Sequence, residues 1–353
     1  MASSFEFWRH WNLVMQARDW LFRRGDIKPG LGFSVVSPAD IVFSDAKQIE
    51  SGAANELAKV PYCLDFDQKL LINATGIDPF DAAKATFHYN YLRAHANHFL
   101  CAPIEKVPKV MMHNDVEPFL LFSPGRCGST LITKILAGMG VISISEPDFY
   151  SQAAQYVAMG HKSINEIRST LDLLSYASIL LLQPFSRVSP GKVLIKFRSD
   201  VNRAPGMIVA SFSPKPKTIF LTRGFGSWCE SRRRAFSNSL DHNLQIYTRA
   251  LLTLKFLHKH TDCLVIHYED FLSNHDAVYA QLTSFFNISA PYEIFSAILK
   301  EDAQAGTALS KEKIKKQLSD EEVNAIAYLW KHKAPTALLQ ELKLLGFDNV
   351  LFK

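Results

Sequence analysis

Arg126, Cys127, Gly128, Ser129 and Thr130 bring one cation, two hydroxyls and a flexible backbone together within the stretch Phe119–Leu131, FLLFSPGRCGSTL. A fixed guanidinium fork and hydroxyl donors beside glycine suit the binding of an oxyanion. Such residues need an element that aims them. The apolar run Phe119–Phe122 reads as a short buried strand, Ser123-Pro124-Gly125 breaks it, and Gly128-Ser129-Thr130 opens an amphipathic helix. A strand–turn–helix junction directs free N–H groups and the positive end of the helix dipole to one point. The expectation is a phosphate cradle. The Walker pattern is not met: it places a lysine between its last glycine and the hydroxyl residue, whereas Ser129 follows Gly128 directly.

A second junction of the same kind occupies Lys217–Arg234, KTIFLTRGFGSWCESRRR. Thr218–Leu221 reads as a strand with Arg223 at its carboxyl end, followed by a turn with Gly224 and Gly226 and a basic helix. Arg223 and Ser231 are eight residues apart, a spacing that a loop and one or two helical turns can direct at one phosphate. From Lys215 to Arg234 there are six Lys/Arg against the single acid Glu230, a local excess of +5 that matches the net charge of the whole chain. Ligands of α/β folds bind at the carboxyl ends of parallel strands, where both junctions would lie.

These motifs resemble those of the sulfotransferases, whose donor is 3′-phosphoadenosine 5′-phosphosulfate (PAPS). Ser123–Leu131 is similar to the family's 5′-phosphosulfate loop in its arginine form, and Arg223 with Ser231 to its 3′-phosphate Arg…Ser pair. His267-Tyr268-Glu269-Asp270-Phe271 resembles the R-Y-E-D-L segment after a later strand, and the resemblance spans roughly residues 116–288. It implies that Arg126, Cys127, Gly128, Ser129, Thr130, Arg223, Ser231 and Tyr268 hold the donor, with PAPS as cofactor and no metal. Where the family usually has Asp-Pro after the 3′-phosphate arginine, this chain has Gly224-Phe225.

Sulfuryl transfer, like phosphoryl transfer, needs positioning and cations near the atoms that gain charge. Arg126 is one candidate, and Lys196, at the end of KVLIKF, matches a lysine that the family places at the corresponding strand end. The cytosolic branch has Lys-x-His there, with His as base; here the segment is Lys196-Phe197-Arg198, and an arginine is no base at neutral pH. Glu146, closing the run VISIS, is the candidate base, as in glutamate-base members such as the tyrosylprotein branch, with Asp148 as fallback and a helix-capping role for Glu146 as the alternative. The expected activity is transfer of a sulfuryl group to a hydroxyl, less favourably an amine, on a small molecule, glycan or lipid. A P-loop nucleotide kinase or NTPase, or a silent nucleotide- or partner-binding relative, is the alternative.

The 353 residues, 48% of them hydrophobic, suffice for a large core. The expected fold is α/β: a P-loop-like three-layer core with a central parallel sheet, and a mainly helical N-terminal lobe. Strands are predicted at Pro118–Phe122, Val141–Ser145, Lys192–Phe197, Lys217–Thr222 and Cys263–His267. The domains would be a helical lobe over 1–115 helping to shape the acceptor site, the core over 116–300, and a C-terminal loop and helix over 301–353. The resemblance further implies that Gly306–Lys311 closes over the 3′-phosphate, as C-terminal loops do in the sulfotransferases. Trp8, Trp11 and Trp20 stand at helical spacing, and His88, His95 and His98 share a helical face, although their spread spans too much of a helix for one metal ion. No aromatic-interleaved basic stripe points to nucleic acid, and no run reads as a signal or membrane span. Five scattered cysteines without C-x-x-C spacing suit a reducing compartment, so the expected location is the cytoplasm.

Overall fold

In the computed structural model of the chain, the described residues are 19–27, 31–49, 59–103, 116–186, 188, 191–303, 305, 310, 313–314 and 316–347. They fall into two compact units: Met1–Glu117 with Ile144–Val193 and Gly206–Lys215, and Pro118–Ser143 with Leu194–Pro205 and Pro216–Lys353.

The first unit begins with strands β1 (Asp19–Ile27), β2 (Ile41–Ile49), β3 (Lys59–Asp65) and β4 (Leu70–Thr75). Two short helices, α1 (Pro79–Lys84) and α2 (His88–His95), then lead to β5 (His98–Pro103). The strands form a sheet in the order β2-β1-β5-β4-β3, and the neighbouring pairs for which register is defined are antiparallel. The helical lobe expected over 1–115 is therefore corrected to a sheet with two short helices. Runs such as VPYCL and LLINA are too short for their periodicity to separate strand from buried helix. The pairing of Trp20 with Cys101 joins segments that no local signal links. Trp20 lies in β1, whereas Trp8 and Trp11 lie outside the described residues.

Packed into this unit is a buried polar cluster. Arg93 donates from Nη2 to Asp40 Oδ2 at 2.7 Å and from Nε to Tyr62 Oη at 3.1 Å, and Tyr62 Oη donates to the same carboxylate oxygen at 2.7 Å. Both ion-pair partners are about 5% exposed, so loss of one would strand the other's charge away from water. His88 is buried, and α2 ends before His98, which opens β5, so the three histidines share no helical face.

The rest of the chain alternates strands and helices: β6 (Glu117–Phe122), α3 (Ser129–Gly138), β7 (Ile142–Ser145), α4 (Phe149–Ala158), α5 (Ile164–Leu182), β8 (Lys192–Lys196), α6 (Pro205–Ala210) and β9 (Lys217–Thr222). Then come α7 (Phe225–Ala235), α8 (Leu240–His260), β10 (Cys263–His267), α9 (Asp270–Ser273), α10 (His275–Phe286) and α11 (Tyr292–Leu299). The tail holds α12 (Asp320–Lys333) and α13 (Thr336–Leu344), and a Ser319/Glu322 capping box starts α12. All five expected strands are present to within a residue at each end, in one parallel sheet of order β10-β9-β6-β8-β7. β6, β8 and β9 are buried along almost their whole length, as strands covered on both faces are. The first strand of this sheet lies at its centre, between the third and the fourth. The chain thus turns to one side of β6 and then to the other, which makes its carboxyl end a topological switch point. Among the described residues no helix is long and apolar enough to cross a membrane.

Burial lowers the His88 pKa from 6.5 to about 3, and Nδ1 has no hydrogen-bond partner among the described residues. The folded chain then refuses a proton that the unfolded chain accepts, so stability is complete above pH 6.5 and falls as the pH drops toward 3. Urea unfolding of the wild type and of His88→Phe at pH 7 and pH 5 checks this. The wild type is expected to lose about 1–2 kcal/mol more than the variant over that interval.

Candidate functional site

The loop between β6 and α3 is bent by three left-handed residues: Gly125 at φ 78°, Arg126 at 57° and Gly128 at 80°. Gly128 is the N-cap of α3 and makes no side-chain cap hydrogen bond, and the first amides of a helix are groups that suit an anion. A Cβ on Gly128 would lie 2.9 Å from the Tyr268 ring, so the close approach of that ring depends on glycine. Ser129 and Thr130, both buried, form the first turn of the helix.

Three neighbours hold the loop from other strand ends. Trp228 on α7 donates its indole N–H to the Gly125 carbonyl at 2.7 Å, and Asn202 donates to the Ser123 carbonyl at 2.8 Å. The backbone N–H of Tyr268 bonds the Thr222 carbonyl at 2.9 Å, which sets the Tyr268 ring beside Gly128. Neither Trp228 nor Asn202 is assigned a role by the sequence analysis. A tryptophan four residues after a turn glycine, and an asparagine in a short 3₁₀ segment, carry no signal of a contact about 80–100 residues away in sequence.

The sequence-predicted anion residues of the second unit converge here. Arg126 Nε donates to Ser231 Oγ at 3.3 Å, and Arg223 Nη1 donates to the Arg126 carbonyl at 3.4 Å. The Arg223 guanidinium lies 4.5 Å from the centre of the Tyr268 ring, and its Nε donates to Ser227 Oγ at 3.1 Å. Glu269 accepts from the Gly224 amide at 3.2 Å and from Ser227 at 3.3 Å, so it shapes the turn that carries Arg223. Among the described residues neither Arg126 nor Arg223 is ion-paired. Burial, and then the charge of Arg223, push the Arg126 pKa below its ordinary value.

Cys127 is wholly buried, and its thiol lies 3.3 Å from the Gly125 carbonyl. Burial raises its pKa well above that of a free thiol and outweighs the three nearby arginines, so it is a neutral spacer of the loop. Lys196, 2% exposed, ends β8, and the next amide, that of Phe197, bonds the Leu121 carbonyl of β6 at 3.0 Å. This sets Lys196 one strand over from the loop. Glu146 belongs to the first unit; it follows β7 with φ 62°, a conformation that non-glycine residues seldom adopt. It does not cap the next helix. The N-cap of α4 is Asp148, whose Oδ2 accepts from the Val36 amide at 3.1 Å deep in the first unit, a poor location for a base. Gly306–Leu309 and Lys311 lie outside the described residues.

No protein-family model matches the chain, and no curated protein sequence matches it. The solved structures similar to it include sulfotransferases. The sulfotransferase domain of the Synechococcus PCC 7002 olefin synthase is 16% identical, with a TM-score of 0.39, and the match covers 64% of this chain and 98% of that one. Mouse sulfotransferase SULT7A1, complexed with PAP, is 11% identical with a TM-score of 0.36, covering 66% of this chain and 84% of the other. Retinol dehydratase, in complex with androsterone and the inactive cofactor PAP, is 12% identical with a TM-score of 0.32 and coverages of 66% and 80%. A likeness at these values carries no chemistry; that comes from this chain's own residues.

Two outcomes are expected. Gly128→Ala drives a methyl group into the Tyr268 ring at a left-handed position, and calorimetric titration with inorganic pyrophosphate should show a loss of affinity of at least tenfold. Cys127 in the native protein should resist iodoacetamide at pH 8 and react only after unfolding, as read by mass spectrometry.

Proposed function

We propose that this protein is a PAPS-dependent sulfotransferase acting on a hydroxyl acceptor. The observation that carries the reading is the meeting of Arg126, Arg223 and Ser231 at the loop beyond β6, with no carboxylate paired to either guanidinium among the described residues. The residues fit such a donor. The first amides of α3 with Arg126, Ser129 and Thr130 suit its 5′-phosphosulfate, Arg223 and Ser231 its 3′-phosphate, and the Tyr268 ring its nucleoside. A nucleoside triphosphate with Mg²⁺ is served less well: the Walker lysine is missing, and the end of β8 beside the loop carries Lys196, a cation where a metal would need a carboxylate.

PAPS, when bound, supplies a sulfuryl group already activated by a phosphate leaving group. The protein supplies charge and a proton acceptor. Lys196 and Arg126 stabilise the negative charge that grows on the leaving oxygen. Glu146 takes the proton of the acceptor hydroxyl as its oxygen bonds to sulfur. The acceptor is a small molecule or a glycan or lipid hydroxyl. The location is the cytoplasm, a reading supported by five free cysteines.

A thermal-shift titration with 3′,5′-ADP, the desulfated donor, alongside 5′-ADP, ATP-Mg²⁺ and GDP tests the donor. At a hundredfold over its dissociation constant, 3′,5′-ADP should add about 2.7 kcal/mol, a rise of a few degrees that Arg223→Ala abolishes. A rise only with ATP-Mg²⁺ or GDP would make the protein an NTPase, and no rise with any nucleotide would leave a silent scaffold. With an acceptor in hand, Glu146→Gln and Lys196→Ala should each lower kcat by about 100-fold or more. Unchanged turnover would remove both from the catalytic set.

A further inference from the structure

The second unit holds a buried cation that neither the sequence motifs nor the donor reading uses. Arg232, on α7, is 8% exposed, and its guanidinium lies between the rings of Trp228 at 5.5 Å and Phe236 at 5.3 Å. Its Nε donates to Asn243 Oδ1 at 3.2 Å, and Asn243 is itself fully buried on α8. That bond holds the guanidinium from behind. The other end faces the loop: Nη1 lies 3.7 Å from where a Cβ on Gly125 would stand. The two terminal nitrogens carry four N–H donors, and among the described residues none has an acceptor or an ion pair. Asp200, the carboxylate whose field reaches Arg232, pairs with Arg203 at 3.8 Å. Burial is the main pressure against the charged form of Arg232; Asp200 opposes it, and Arg126 adds to it.

A buried guanidinium between aromatic rings, with no carboxylate in contact among the described residues and only the distant field of Asp200 in its favour, is a penalty for a fold to keep. Arg126 repels it from the other side of the same loop. Such an arrangement makes sense when a bound anion supplies the missing charge, since functional sites retain destabilisation that ligand binding relieves. We infer that Arg232 is a third cation of the anion site, whose terminal N–H groups bind an oxygen of a phosphate or sulfate held by the loop. With Arg126 and Arg223 it makes a site for an oxyanion of two or more negative charges. The inference rests on the donor reading only for the identity of that anion.

The test measures apo stability and anion affinity together, because the two roles open to Arg232 move them in opposite ways. Full-length wild type, Arg232→Met and Arg232→Lys are melted without ligand, then titrated by calorimetry with inorganic pyrophosphate and with 3′,5′-ADP. For an anion-binding residue, Arg232→Met should melt at or above the wild-type temperature while its affinity for pyrophosphate falls about 10- to 100-fold. Arg232→Lys keeps the charge and should recover part of that affinity. A structural arginine gives the reverse: Arg232→Met melts several degrees lower or fails to fold, and Arg232→Lys binds pyrophosphate as the wild type does. That result overturns the inference, as does a wild type that binds neither ligand. Wild type binding pyrophosphate but not 3′,5′-ADP would overturn the donor reading alone and leave Arg232 judged by pyrophosphate.

Discussion

The turn between β6 and α3 has to keep a left-handed conformation, which Gly125 supports from within by donating its amide to Ser123 Oγ at 3.1 Å and which other segments support from outside. Its carbonyls are taken by Trp228 and Asn202, and its flank at Gly128 is covered by Tyr268. These holders come from the segments that follow β9, β8 and β10. Parallel strands deliver their carboxyl ends to one edge, and the central place of β6 brings β8 and β9 to either side of it. The sheet order is thus a requirement of the loop.

The second constraint is charge. Arg126, Arg223 and Arg232 gather around the loop without an ion pair to any of them among the described residues. Each is supported differently. Arg223 lies against the Tyr268 ring, Arg126 bonds Ser231, and Arg232 is tethered by Asn243 between two aromatic rings. The cluster works against its own ionisation, as the lowered pKa values of Arg126 and Arg232 indicate. Cys127 sits within the same positive field, but burial wins and keeps the thiol neutral. The positive field therefore does not activate a sulfur nucleophile.

The first unit spends its buried polarity in another way. Asp40, Tyr62 and Arg93 bond one another, which ties a residue of α2 to one of β3 and to the turn before β2. There Arg93 and Asp40 form an ion pair within the fold; at the loop the three arginines form none among the described residues.

Local pattern determined much of this protein. The continuous apolar runs of β6, β8, β9 and β10 mark strands, glycine with hydroxyl residues marks the strand–helix turn, and Ser319 with Glu322 marks the start of a helix. Arg126, Arg223 and Ser231 could be picked out because residue type and short-range spacing are local properties, whereas Tyr268 came only from the resemblance to the sulfotransferases. Tertiary structure decided the rest. The described residues of 1–115 form a sheet where helix was expected: β1 pairs with β2 on one side and, on the other, with β5 some eighty residues further along the chain, a pairing beyond any local signal. Arg232 read as one of three consecutive arginines on a basic helix, indistinguishable in sequence from its exposed neighbour Arg234. Only the packing of α7 against Asn243 and the loop turns that one side chain inward. Burial and charge compensation are sums over everything that surrounds a group, and those surroundings exist only after distant segments have met.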